Sequence, residues 1–211
     1  LSEGDYGYQL IGDVASLGFT VNGIVPDGFR VMTMNKKVES LADMHGLKMR
    51  MPNLEIMVEI GNYLGFAVTP MSMTEVFSAL EQGVIDGQEN PPSTIRSQGW
   101  YEIQDYLLVS NHVFTSLFLC VNNDFYNSLD SELQNILDEV IDETCAQIWD
   151  TAQTQAQEDL DYMSSEGGIE VYEPSDSFRQ EMVEATAPMY DNMYETAPEV
   201  EEVINAIQAI Q

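Results

Sequence analysis

Short apolar runs separated by stretches of helical period set the architecture expected of this chain. Val31–Met34, Leu47–Met51, Ala67–Thr69 and Val84–Ile85 read as strands, while residues 53–64, 74–82 and 93–98 read as helices. Asn53 is placed to cap the first of these helices and Gly65 to end it. Such alternation predicts an α/β fold with a mixed, mostly parallel sheet. Upstream, Phe19–Val25 is strand-like and is followed by the turn residues Pro26, Asp27 and Gly28. Downstream, Tyr106–Ser110 and Val113–Val121 read as two strands meeting at Asn111 and His112, the second so apolar that a buried central position is expected.

From Ser131, with Gln134 offering a capping box, apolar positions recur at helical spacing through Leu133, Ile136, Val140, Ile148 and Ala152. No Gly or Pro interrupts the pattern before Gly167. A helix of about 35 residues extends ~50 Å, longer than a small domain is wide, so it bends or bridges two lobes. A strand at Ile169–Tyr172 and helices over 175–194 and 199–209 close the chain.

Charge adds a location to this outline. The formal net charge is −29, yet five of the seven cationic residues, Arg30, Lys36, Lys37, Lys48 and Arg50, share one short window with only two acidic residues. A small anion is expected near that window; the competing account is mutual neutralisation by neighbouring acids. A chain this acidic repels nucleic acid and anionic lipid, so neither is expected as a partner. With 44% hydrophobic residues the chain is globular, and no apolar run is long enough to span a bilayer. Leu1 is not a start methionine, which leaves the compartment open at this point. Cys120 and Cys145 are expected to be buried thiols, and neither they nor His45 and His112 have metal-motif spacing, so no metal or cofactor is expected.

Two segments can meet such an anion. Asp86–Pro92 follows the short strand at Val84–Ile85 and is read as a polar loop outside a strand's carboxyl end, with Asn90 presented to a ligand; an ordinary turn ahead of a helix is the competing account. Arg50 also stands at a strand end. Alternation puts it on one face with Lys48, and Met49 and Met51 on the other. Its guanidinium can grip a carboxylate through two parallel hydrogen bonds.

The motifs GLKMRMP, TPMSMTEVFSALEQGVIDGQENP and YEIQDYLLVSNH, in order and in register between Gly46 and His112, resemble the DctP-type solute receptors of tripartite ATP-independent periplasmic (TRAP) transporters. The resemblance implies a periplasmic-binding-protein-like fold of two α/β lobes with a long bridging helix. It also implies an extracytoplasmic receptor, not an enzyme, that captures a dicarboxylate or sugar acid and delivers it to membrane permease subunits. Arg50 matches the family arginine that pairs with the ligand carboxylate, Arg30 a second arginine, and Asn90 the supporting asparagine. Met73 stands where many members carry an aromatic pocket residue, and His112 ends a segment near the cleft. Mapped onto the family, residues 1–27 are the remnant of an N-terminal lobe and 28–112 the arginine-bearing lobe. Residues 113–155 return to the first lobe and begin the long helix, and 156–211 complete that helix and the second lobe.

Members carry further chain ahead of the position matching Leu1, so much of the N-terminal lobe is expected to be missing. The apolar surface thereby exposed predicts self-association, which light scattering at several concentrations would reveal. Two other functions compete: a ligand-sensing domain of a signalling protein, and a hydrolase using carboxylates near Asn90 such as Asp86 and Glu89. The sequence lacks a G-x-S-x-G elbow, HExxH, Walker loop or GxGxxG.

Overall fold

Four-residue strands are too short to be stable alone, and in this protein they become one sheet through pairing and burial on both faces. The structure, a computed structural model, describes residues 14–208. It divides into two compact units: one takes the described chain up to Gly28 with Phe114–Ala156, the other Phe29–Val113 with the chain from Gln157 onward.

The second unit holds a six-stranded sheet. Its strands are β2 (Val31–Met34), β3 (Lys48–Met51), β4 (Ala67–Pro70), β5 (Gly87–Asn90), β6 (Tyr106–Leu108) and β8 (Glu170–Tyr172), in the order β4-β3-β5-β2-β6-β8. β2 runs antiparallel to both its neighbours, β5 and β6; the other neighbours pair in parallel. The carboxyl ends of β3, β5 and β6 and the amino end of β2 therefore share one edge.

Alternation sorts the side chains onto two cores. Met32, Met34, Met49 and Met51 pack on one face with Met44 of α1 (Leu41–Met44), α2 (Glu55–Tyr63) and α7 (Asp176–Thr196). Helix α2 presents Met57, Ile60 and Gly61, with Leu64 following, at the spacing of a single apolar stripe, and α7 presents Phe178, Met182 and Met189. Gly61 is needed where α2 crosses the sheet: a Cβ there would come within 2.7 Å of Val68 and 2.8 Å of Met51. On the opposite face Val31 and Leu107 pack with α3 (Val76–Glu81), Ile95 of α4 (Pro92–Ser97), Trp100, Met163 and Ile169. Apolar layers on both faces are what a largely parallel sheet requires.

The first unit pairs β1 (Phe19–Phe29) with β7 (Phe114–Asn122), and adds α5 (Asn123–Ser128) and most of α6 (Ser131–Ser165). Among its described residues only Val25 and Ile141 are buried hydrophobics, while Leu17, Phe114, Leu117, Phe125 and Val140 are about half exposed or more. Helix α6 is a continuous 35 residues. Its last turns belong to the second unit, where Asp159 takes a hydrogen bond of 2.7 Å from Arg96 and the Arg96 guanidinium lies 3.9 Å over the Tyr162 ring. Helix α8 (Glu199–Gln208) forms where the pattern predicts one, residue 209 of the expected span lying outside the described residues.

Several local expectations are corrected. Val84 and Ile85 form no strand; the strand is Gly87–Asn90, two residues on. β1 continues through Pro26, Asp27 and Gly28 instead of ending there. β7 is not a buried central strand: none of its residues is buried, because among the described residues β1 alone pairs with it. Leu54, not Asn53, occupies the cap position of α2 and no side chain caps it. The amide of Leu133 is met by Asp130 at 2.9 Å, and the Gln134 side chain donates to the Tyr126 carbonyl, so the capping box at Ser131 does not form. Cys145 is half-buried, but Cys120 is exposed.

Candidate functional site

Strand β5 explains the site because it buries four residues, Gly87, Gln88, Glu89 and Asn90, that read as a polar loop. Burial of amides and a carboxylate is tolerated only when each finds a partner, and here each does. Gln88 donates to Thr33 Oγ1 at 3.0 Å and accepts from Asn90 Nδ2 at 2.8 Å; Asn90 Oδ1 accepts from Arg30 Nη2 at 3.0 Å. Gly87 is small because a Cβ would sit 2.4 Å from the Thr33 carbonyl oxygen of the neighbouring strand. The position has room for no other residue.

Glu89 points to the other face and is completely buried. Arg30, just ahead of β2, grips it with both edges of the carboxylate engaged: Nε to Oε2 at 2.5 Å and Nη2 to Oε1 at 3.0 Å. His112 reaches the same carboxylate from the loop after β6, with Nε2 3.4 Å from Oε2 and no hydrogen bond of good geometry, while its Nδ1 lies 2.8 Å from Ser110 Oγ. Asn111 holds a φ of 48° between them, a left-handed conformation that asparagine tolerates. Arg179 of α7 donates to the Ser110 carbonyl and steadies this loop.

Arg50 is built differently. It is only 4% exposed, and both of its observed hydrogen bonds, Nε at 3.2 Å and Nη2 at 2.9 Å, go to one neutral acceptor, the Met71 carbonyl. Among the described residues no carboxylate lies within ion-pair distance of it. Burial lowers the Arg50 pKa from its ordinary value; Glu89 opposes this and Arg30 adds to it. Gln88 stands beside Arg50 in the register. The edge thus carries a buried guanidinium whose remaining N–H groups have no protein acceptor among the described residues, next to an arginine fully matched by a glutamate.

For Glu89, burial pushes the carboxyl pKa upward, but the close approach of the His112 ring and the hydrogen bonds and charge of Arg30 outweigh it and hold the group below its ordinary 4.5. A depressed carboxyl contributes stability that is complete above pH 4.5 and lost as pH falls through the folded-state value. As pH falls below 4.5, the urea midpoint is therefore expected to drop more steeply in the parent than in a Glu89→Gln variant. Parallel midpoint curves would contradict this.

The structure brings Arg30, Arg50, Asn90 and His112 to one edge of the sheet. Met73 lies on a short 3-10 turn after β4, 42% exposed, two residues beyond the carbonyl that holds Arg50. The basic window itself is divided: Lys36 follows the far end of β2 and Lys48 begins β3, while Lys37 pairs with Glu170 and lies 5.0 Å from the Tyr172 ring centroid. A strand of four residues separates the two ends by ~13 Å, so only the arginines belong to the site. Asp86, bonded to the amide of Lys48, also lies at the far edge. The pair of carboxylates that a hydrolase would use is not assembled. Sequence reasoning missed Glu89 as the buried partner of Arg30; the signal available was an arginine expected beside a buried strand, which demands a counter-charge.

No group of three or more His, Cys, Asp or Glu side chains able to hold a metal occurs among the described residues, and none of their helices is long and apolar enough to cross a membrane. Arg50 thus stands at the carboxyl edge of a mixed α/β sheet, the place where open α/β sheets bind their ligands. The chain belongs to the DctP family of bacterial extracellular solute-binding proteins, family 7, whose family model matches residues 1–197. It is 29% identical over 92% of its length to the C4-dicarboxylate-binding periplasmic protein DctP of Rhodobacter capsulatus, of which it covers 59%. Among solved structures it resembles a TRAP periplasmic solute binding protein from Haemophilus influenzae with bound L-gulonate, at 31% identity and TM-score 0.93, covering 100% of this chain and 69% of that one. It also resembles the sugar acid binding protein DctPAm from Advenella mimigardefordensis in complex with galactonate, at 27% identity and TM-score 0.93, covering 100% and 68%. The chain spans little more than half the length of the curated relatives it matches.

Proposed function

We propose that this chain is the arginine-bearing part of a periplasmic TRAP solute receptor that captures a small organic acid and presents it to a membrane permease, without chemical turnover. The observation that carries the reading is Arg50, a buried cation with two hydrogen bonds to a neutral carbonyl and no carboxylate partner among the described residues. A ligand carboxylate supplies the missing charge and takes the free N–H groups as a charge-assisted pair. Asn90, with one amide N–H engaged by Gln88, has its second available to the same ligand. Sugar acids and dicarboxylates, the ligands named for its relatives, both fit this requirement. The sparse core of the first unit supports reading residues 1–27 and 113–155 as part of a lobe completed by further chain; a strictly monomeric chain in light scattering would count against it.

Thermal unfolding tests the binding. An acid present at 100 times its dissociation constant is expected to stabilise the chain by about 2.7 kcal/mol. No shift with any sugar acid or dicarboxylate would overturn the reading.

A further inference from the structure

Two polar side chains interrupt a sheet face that is otherwise packed with apolar residues. Thr33 and Gln88 are fully buried and stand opposite each other in the register of β2 and β5, on the face that Val31 and Leu107 share. Folding alone does not call for them, since replacing both members of a buried hydrogen-bonded pair by apolar groups of the same shape costs little. What they support is Asn90. Gln88 Nε2 donates to Thr33 Oγ1 at 3.0 Å, Asn90 Nδ2 to Gln88 Oε1 at 2.8 Å, and Arg30 Nη2 to Asn90 Oδ1 at 3.0 Å. A guanidinium has only donors, so the sense of the whole relay is set at its Arg30 end: each amide must turn its oxygen toward Arg30 and its nitrogen toward Thr33. Turning the Asn90 amide over would set donor against donor at Arg30 and acceptor against acceptor at Gln88.

We propose that Gln88, anchored by Thr33, is a positioning residue for acid capture: it fixes the direction of the Asn90 amide and so aims the second N–H of that amide at the ligand carboxylate. This rests on the receptor reading above. The amide is planar, and with its oxygen held by Arg30 and one N–H held by Gln88 the remaining N–H has a single direction before any ligand arrives. A donor ordered in advance loses no freedom when it binds, which is the source of its contribution to affinity. Without Gln88 the amide is held at its oxygen alone and can turn about that contact. Gln88 is also the register partner of Arg50, so an effect transmitted through Arg50 is the alternative that has to be separated.

A double-mutant cycle read by calorimetric titration at pH 7, with D-galactonate or, where the parent does not take it, succinate, makes that separation. Gln88→Met keeps the shape and is expected to weaken binding about tenfold, the effect of losing one hydrogen bond to a charged group. In an Asn90→Ala background the same substitution is expected to change the affinity by less than about twofold, because Gln88 acts through Asn90. Thr33→Val is expected to weaken binding in the same direction, and Thr33→Ser, which keeps the hydroxyl, to restore the parent affinity. Binding of Gln88→Met within about twofold of the parent would overturn the proposal while leaving the receptor intact. So would losses that add in the double variant, which would place the effect in Arg50 or in the fold, or an Asn90→Ala variant that binds like the parent. If circular dichroism shows Gln88→Met unfolded, or Asn90→Ala binds too weakly to measure, the two Thr33 variants decide alone: equal affinities for Thr33→Val and Thr33→Ser would overturn the proposal. A parent chain that binds neither acid overturns both this proposal and the receptor reading.

Discussion

Replacing Arg50 with alanine is expected to weaken acid binding by about 30-fold or more while leaving the fold as stable as before, because truncating one side of a buried charge pair costs roughly 2–5 kcal/mol of binding. The two halves of this expectation have one cause. In the unliganded chain Arg50 is a desolvated cation compensated only by the Met71 carbonyl, so its removal relieves a burial cost about as large as the hydrogen bonds it forfeits. Once a carboxylate is bound, the same guanidinium supplies the charge and the donors. Calorimetry for the affinity and thermal unfolding of the empty protein for the stability check both halves. A variant that binds within threefold of the parent would remove Arg50 from the site; one that is strongly destabilised would mean that the guanidinium is structural.

Glu89→Ala is expected to do the reverse and destabilise the empty protein by about 3–5 kcal/mol, the usual cost of stranding one member of a buried ion pair. Arg30 would then be buried beside Arg50 with no carboxylate to hold it, and His112 would lose the oxygen that its Nε2 faces. Glu89→Gln keeps the volume and an acceptor and should cost less. Urea denaturation at pH 7 separates the cases. A loss for Glu89→Ala of under about 1 kcal/mol would show that solvent or a neighbour compensates Arg30, and the distinction between the two arginines would fail. The contrast matters because the arginines are only 20 positions apart and look equivalent along the chain.

Legibility followed the range of the interactions involved. Val31–Met34, Lys48–Met51 and the α6 helix were readable because each states its own period: runs of alternating or apolar residues, or a stripe uninterrupted by Gly or Pro. The carboxylate-pairing type of Arg50 and its place at a strand end were readable for the same local reason. β5 was not. Gly87-Gln88-Glu89-Asn90 has loop composition, and it is a strand only because Thr33 of β2 and Arg30 just ahead of it arrive to satisfy its side chains. β7 erred in the opposite sense, its apolar residues promising burial that the two-stranded sheet does not provide.

The sequence by itself determined the α/β alternation, the long helix, the family and the presence of a cationic window in an acidic chain, since these depend on local spacing and on composition. Only the tertiary structure decided which cations count. Strand direction sends Lys36, Lys37 and Lys48 to one end of the sheet and both arginines to the other, and the register places Glu89 against Arg30 and Gln88 beside Arg50. Electrostatic balance is a property of distance and burial, and neither exists until strands far apart in the chain are paired.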